Sequence, residues 1–202
     1  MLTFHTAYFP ALSWFAPFWA QQEASLEACE HYQKGSIRNR CNIAGPNGAQ
    51  MLSVPLVKGK HQRTPIRDVR IAYDLPWQRQ HWRSICTAYG NAPFFEHFAD
   101  HLRPFFERQP SFLFDLNLEV LQFFLEKTRW SGTLRLTERY TLRGQKGDTP
   151  PPHPTLPYPQ VFQEKTGFLP DLSVLDLLLC CGRSGSVLLL SQQPQPHAHE
   201  GC

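Results

Sequence analysis

Tyr32-Gln33-Lys34-Gly35-Ser36-Ile37-Arg38-Asn39-Arg40-Cys41 opens the segment around which the rest of the chain is read, and Trp77-Gln78-Arg79-Gln80-His81-Trp82-Arg83 closes it. From Lys34 to Arg83 stand ten of the chain's twenty Lys and Arg against two acids, Asp68 and Asp74, a local balance of +8. The other ten basic residues face fifteen acids, a balance of −5, so the overall +3 conceals a polarised molecule. A positive field of that size concentrates anions near the surface that carries it. The same segment marks a change of pattern, from strand-like sequence before Trp77 to helical sequence after it.

Working outward, Met1–Thr6 reads as a short first strand and Leu12–Trp19 as a short helix limited by Pro17. Ser25–Gln33 reads as a second strand. Asn47-Gly48 predicts a hairpin turn, because both positions tolerate positive φ, and it would join Arg38–Ile43 to Gln50–Val57. Lys58–Thr64 is a basic loop and Ile66–Tyr73 a further strand. Pro76 suits a first helical turn and opens a helix over Trp77–Tyr89 that stops at Gly90. Phe94–Arg108 sets Phe94, Phe95, Phe98, Leu102, Phe105 and Phe106 along one stripe at helical spacing. Ser111 is placed to cap a third helix, Phe112–Lys127. Thr133–Tyr140 and Gln160–Thr166 read as strands, and Asp171–Cys181 as a leucine-rich helix closed by Gly182 as a left-handed cap. Strands followed by helices, with one early helix between the first two strands, predict an α/β or α+β fold: a mixed sheet from the N-terminal half covered by helices.

At 202 residues, 42% hydrophobic and 13% aromatic, the chain is expected to form one domain over 1–191. A Pro-rich loop at about 143–159 and a disordered tail at 192–202 complete it. No run of about twenty apolar residues marks a membrane span. The N-terminus lacks a basic region, which argues against a secretory signal. The six cysteines lack Cys-x-x-Cys spacing and read as reduced, cytoplasmic thiols. His197-Ala198-His199-Glu200 in the tail reads as adventitious metal binding, and Gly182-Arg183-Ser184-Gly185 as a cap and turn, because it follows a helix and lacks the Walker pattern.

In an extended strand over 36–43, Arg38 and Arg40 would share one face, with Asn39 opposite. Two guanidiniums so close repel unless they share an anion or buried acids, and the planar fork of Arg suits phosphate or carboxylate. A solvated basic strand is the competing reading. Lys34 and Arg83 extend the basic surface. His81 falls on the core-facing spacing of its helix with Trp77, Ile85 and Ala88; it is either a satisfied core histidine or a general base. Asn117 sits about 200° round its helix from Asp115, on the apolar side, where a buried amide would anchor a loop. Asp176, among Val174, Leu175, Leu177, Leu178 and Leu179, either needs a buried partner or marks a narrow wet face.

Several runs resemble the WbqC-like family of bacterial proteins, in a shorter form associated with Bacteroidetes. They are Ala7-Tyr8-Phe9-Pro10, His31-Tyr32-Gln33-Lys34 with Ile37-Arg38-Asn39-Arg40-Cys41, Gln50-Met51-Leu52-Ser53-Val54-Pro55 and Pro65-Ile66-Arg67-Asp68-Val69. Trp77 with His81-Trp82-Arg83, Ala88-Tyr89 with Ala92-Pro93-Phe94-Phe95, Asp115-Leu116-Asn117 and Phe168–Leu178 continue the likeness. Longer members begin with a His-Gln-Pro-Asn-type motif, from which His5 is displaced here.

The resemblance implies surface-polysaccharide (O-antigen-type) biosynthesis. Together with the basic segment it leads to the expectation of a cytoplasmic transferase acting on a sugar phosphate or nucleotide sugar in a basic pocket. Tyr32, Gln33, Lys34, Arg38, Asn39, Arg40 and Arg83 are the candidates for the anion, and His81, Asp68 and Asp176 the acid/base or orienting candidates. No metal site is expected, and no cofactor is assigned. The alternative is a noncatalytic binding or assembly protein whose basic face meets an acidic partner or a sugar nucleotide. Nucleic-acid binding fits the charge but no recognised module.

Overall fold

Leu2–Phe4 (β1), Leu12–Trp19 (α1) and Glu23–Leu26 (β2) form a strand–helix–strand unit in a computed structural model that describes residues 2–57, 64–140 and 156–192. β1 and β2 pair in parallel, with Leu2 opposite Ala24 and Phe4 opposite Leu26. Arg40–Gly45 (β3) and Gly48–Ser53 (β4) make a separate antiparallel hairpin, in which Arg40 faces Ser53 and Gly45 faces Gly48. The helical half follows as Trp77–Tyr89 (α2), Phe95–Leu102 (α3), Pro104–Glu107 (α4) and Leu113–Lys127 (α5). Thr133–Leu136 (β5) then returns to pair in parallel with the other edge of β2, so the three-stranded order is β1-β2-β5. Gln163–Thr166 (α6) and Val174–Gln192 (α7) close the chain. As the central strand, β2 buries Ala24, Ser25 and Leu26 in succession, the mark of a strand covered on both faces.

The α/β class stands, but the strands are divided differently from the sequence expectation. The parallel sheet takes β5 from beyond the helices, and the hairpin stands apart from it. The hairpin's central pair is Pro46-Asn47, one residue earlier than Asn47-Gly48, and Gly48 supplies the positive φ of 118°. Ile66–Tyr73 is not a strand: Ile66–Asp68 is a 3₁₀ turn, followed by isolated bridges from Arg70 to Phe112 and from Ile71 to Leu56. Its alternation is imperfect because these residues bind three different segments, at Glu30, at 55–57 and at 110–113. Phe94–Arg108 is two helices, because Pro104 has no N–H to continue the first and starts the second. Ser111 does not cap α5; its carbonyl accepts from the Ile71 N–H at 3.1 Å. Gln160–Thr166 holds the short helix α6 in place of a strand. Lys58, Lys60, Arg63, positions 143–155 of the Pro-rich loop and the tail from 193 lie outside the described residues.

One aromatic-rich core joins the layers. Phe9 stacks on Phe106 and meets Phe124 edge-on, both at 5.8 Å, while Trp14 stacks on Phe18 at 5.2 Å. The first turn of α1 is capped from afar: the Ser13 N–H donates to Asp171 Oδ1 at 2.8 Å, so Asp171 sits ahead of α7, at φ 57°, outside any helix. No helix among the described residues is long and apolar enough to cross a membrane.

Gly182 does not end α7; it kinks it. Its φ of 66° is paired with ψ −173°, a combination that only glycine adopts freely, so it is no left-handed cap and the helix resumes beyond it. A Cβ there would stand 2.6 Å from the Phe94 ring, whereas one on Gly48 would meet nothing within 4 Å. Gly182→Ala should therefore cost roughly 2–4 kcal/mol, combining backbone strain with overpacking. Gly48→Ala should show the strain alone, at about 1 kcal/mol. Urea midpoints of the two variants measure the difference; equal losses would mean that Phe94 yields freely.

Candidate functional site

The basic segment begins as a turn. Residues 34–39 fold between the loop after β2 and the first residue of β3, and the loop is fastened from two sides. The Tyr32 N–H donates to the Thr64 carbonyl at 2.9 Å and the Ile66 N–H to the Glu30 carbonyl at 2.9 Å. The Tyr8 N–H donates to the Ile37 carbonyl at 3.0 Å, bringing the residues after β1 onto the turn. Arg38 therefore lies in the turn and Arg40 opens β3, so the shared strand face expected for the two is not formed.

Arg38 is fully buried, and the protein must supply its hydrogen bonds. Its Nε donates to Glu30 Oε1 at 3.0 Å and its Nη2 to Glu30 Oε2, a fork-on-carboxylate pair. His5 Nδ1 meets the same Glu30 Oε2 and lies 2.8 Å from Arg38 Nη2. The Arg38 carbonyl accepts from Asn117 Nδ2 at 2.7 Å, so α5 is tied to the turn and Asn117 anchors a loop as its position implied.

Arg40 is half-buried and makes no ion pair among the described residues; its Nε is buried without a hydrogen-bond partner. Its Nη1 lies 3.6 Å from the place a Cβ on Gly35 would occupy, so the guanidinium rests on the turn. Buried Tyr32 donates to Asn39 Oδ1 at 2.9 Å, and Asn39 Nδ2 donates to the Val54 carbonyl at 2.9 Å. Burial raises the Tyr32 pKa, and the Arg40 charge pulls it back. Gln33 and Lys34 are exposed in the same turn, and the Gln33 carbonyl accepts from Ser36 Oγ at 2.7 Å. Arg83 is exposed on α2.

The acid/base candidates are dispersed. His81 is 5% exposed; Tyr8 Oη lies 3.0 Å from its Nδ1, the Trp77 ring meets it edge-on at 5.0 Å, and the Ser53 backbone also bonds it. Burial pushes its pKa down to about 4, leaving a neutral imidazole bonded inside the core. Asp68 is exposed at the end of the 3₁₀ turn and makes no ion pair among the described residues. Asp176 is buried, and burial raises its pKa against the opposing pull of Tyr158, Tyr89 and Gln160. Gln160 Nε2 donates to its Oδ2 at 3.3 Å, while Oδ1 and the Tyr158 hydroxyl lack a hydrogen bond of normal geometry. The Tyr89 hydroxyl also accepts from the Ala44 N–H at 2.9 Å, so Asp176 belongs to a junction of α2, β3 and α7.

The structure thus brings together Tyr32, Gln33, Lys34, Asn39 and Arg40 in one turn, with Arg38 beneath it. Sequence reasoning missed Glu30 and His5. The one signal for Glu30 was the requirement that neighbouring guanidiniums share an acid. No group of three or more His, Cys, Asp and Glu among the described residues is arranged to hold a metal ion.

Fold and site together define an α/β protein built around a buried Arg–Glu pair beneath a basic turn. The model of the WbqC-like protein family matches residues 6–150, and the chain belongs to that family. Comparison with curated proteins and with solved structures returns no match.

Two measurements test the packing of this region. Arg38→Met or Glu30→Leu alone strands a buried charge and should cost about 3–5 kcal/mol, whereas the double variant should cost less than their sum. Strict additivity in urea unfolding would show that the two do not act as a pair. For His81, the folded pKa lies below its ordinary value of 6.5, so the unfolded chain binds the extra proton and stability falls as pH drops from 6.5 towards about 4. Relative to His81→Gln, the wild type should lose on the order of 3 kcal/mol across that window. Parallel pH dependences would show that the imidazole titrates normally.

Proposed function

We propose that this protein is a transferase of surface-polysaccharide assembly that takes a phosphate-bearing or nucleotide-linked sugar on the basic turn 32–40. The observation that carries this reading is Arg40, a guanidinium held against the turn with a buried, unbonded Nε and no ion pair among the described residues. Such a group favours an anion that can complete its hydrogen bonds, and phosphate oxygens match its fork. Lys34, exposed two residues after the Tyr32 ring, adds charge at the same turn. Membership of the WbqC-like family supports the pathway that the resemblance implies. Arg38 enters this reading as the support beneath the turn and Arg40 as the anion contact.

A second reading, binding without turnover, is favoured by the placement of His81 and Asp176 inside the core, away from a diffusing substrate. Thermal-shift measurements with UDP-, GDP- and dTDP-linked sugars and with inorganic phosphate test the anion. Saturation at a hundredfold above Kd adds about 2.7 kcal/mol to the folded state, visible as a rise in Tm. Arg40→Ala should remove the rise while leaving a folded protein. A rise that survives Arg40→Ala removes the turn from the reading, and no rise with any probe removes the anion. Release of free nucleotide separates transfer from binding alone.

A further inference from the structure

His5 carries a chemistry that the fold leaves unused. Its Nδ1 contacts Glu30 Oε2 at hydrogen-bond range. Nδ1 lies against Glu30 Oε2, which only accepts, and 2.8 Å from Arg38 Nη2, which donates to that same oxygen, so the arrangement proposed here puts the N–H on Nδ1. Arg38, on the same carboxylate, supplies the positive charge that Glu30 needs. Nε2 is then a free acceptor, with no hydrogen-bond partner among the described residues. The His5 side chain is 10% exposed, against 0% for Arg38 and 2% for Glu30, so it is the member of the cluster that reaches the surface. A ring oriented by a buried carboxylate through one nitrogen, with the other left open, is the arrangement of a general base. His81 is the internal contrast, bonded to Tyr8 and to the Ser53 backbone within the core.

We propose that His5 Nε2 is a proton acceptor for a nucleophile bound at this surface, with Glu30 as its positioning residue. The identity of that nucleophile rests on the transferase reading: an acceptor hydroxyl. Its oxygen forms the new bond to the sugar's anomeric carbon as the bond from that carbon to the phosphate oxygen breaks. The nucleoside diphosphate leaves with the electron pair, the hydroxyl proton passes to Nε2, and the imidazolium later returns it to solvent.

The test uses the full-length protein. Imidazole ¹⁵N NMR at neutral pH should show His5 as the Nδ1–H tautomer. Diethylpyrocarbonate labelling, mapped by mass spectrometry, should modify His5 at least tenfold faster than His81. In Glu30→Gln, an amide N–H facing Nδ1 should switch the tautomer and slow the labelling severalfold, which a merely structural Glu30 would not do. Should that variant unfold, the wild-type comparison of the two histidines still decides. An Nε2–H tautomer, or a His5 as inert as His81, overturns the proposal. A nucleotide sugar that raises Tm and shields His5 from labelling supports both readings. One that raises Tm without shielding it removes His5 from the site and leaves the Arg40 reading standing. A reactive Nδ1–H His5 with no nucleotide-sugar binding supports the base and sinks the transferase.

Discussion

The Glu30–Arg38 pair is the constraint on which the rest of the basic region depends. Arg38 is among the largest fully buried side chains described, and a buried guanidinium tolerates no arrangement that separates it from its acid. Meeting that demand fixes the loop after β2 against the turn before β3. Through His5 it also fixes the residues after β1, and through Asn117 the helix α5. The net stability gained from burying such a pair is small, since desolvation offsets most of the attraction. Its effect is selective: every competing arrangement of these four segments exposes or strands a charge.

That pairing changes how the charge balance of the segment should be understood. Glu30 lies outside Lys34–Arg83, so the local +8 counts Arg38 without the acid that neutralises it. Arg67 and Arg70 are exposed but lie over the Phe114 and Phe112 rings, at 5.4 and 5.2 Å, which directs two more charges towards the start of α5. Among the described residues, what remains for an outside anion is concentrated in Lys34 and Arg40 at the turn and in Arg79 and Arg83 on α2. Fewer charges than the count implied are available, and those at the turn stand on a rigid support.

Much of the fold was legible where the signal is local. Helical periodicity and Gly90 bounded α2 to the residue, and the hairpin was placed within one position because Asn47 and Gly48 mark a turn whatever surrounds them. Ile66–Tyr73 was not legible, since three separate partners left no single period in it. β5 could be recognised as extended, but its pairing with β2, more than a hundred residues earlier, leaves no trace in either sequence. The same holds at the candidate site. The Arg38/Arg40 run was visible as a charge problem needing an acid, yet nothing in a string of letters singles out Glu30 among seventeen acids, or brings His5 to it across twenty-five positions.

The buried carboxyls of Asp176 and Glu30 show why residue type alone could not settle their roles. Asp176 was conspicuous because leucines surround it; burial raises its pKa, and the Tyr158 and Tyr89 hydroxyls and the Gln160 amide pull it back. No cation pairs with it among the described residues, and its contacts join α2, α7 and the residues before α6, deep in the core. Glu30 was inconspicuous among polar neighbours, and it finds a guanidinium and an imidazole. A carboxyl held among uncharged groups serves as a pin between helices and needs no access. A carboxylate balanced by Arg38 sits in a compact charged cluster whose most exposed side chain is His5, and that asymmetry is why the proposed proton chemistry is sought beside Glu30 and not at the leucine-rich helix.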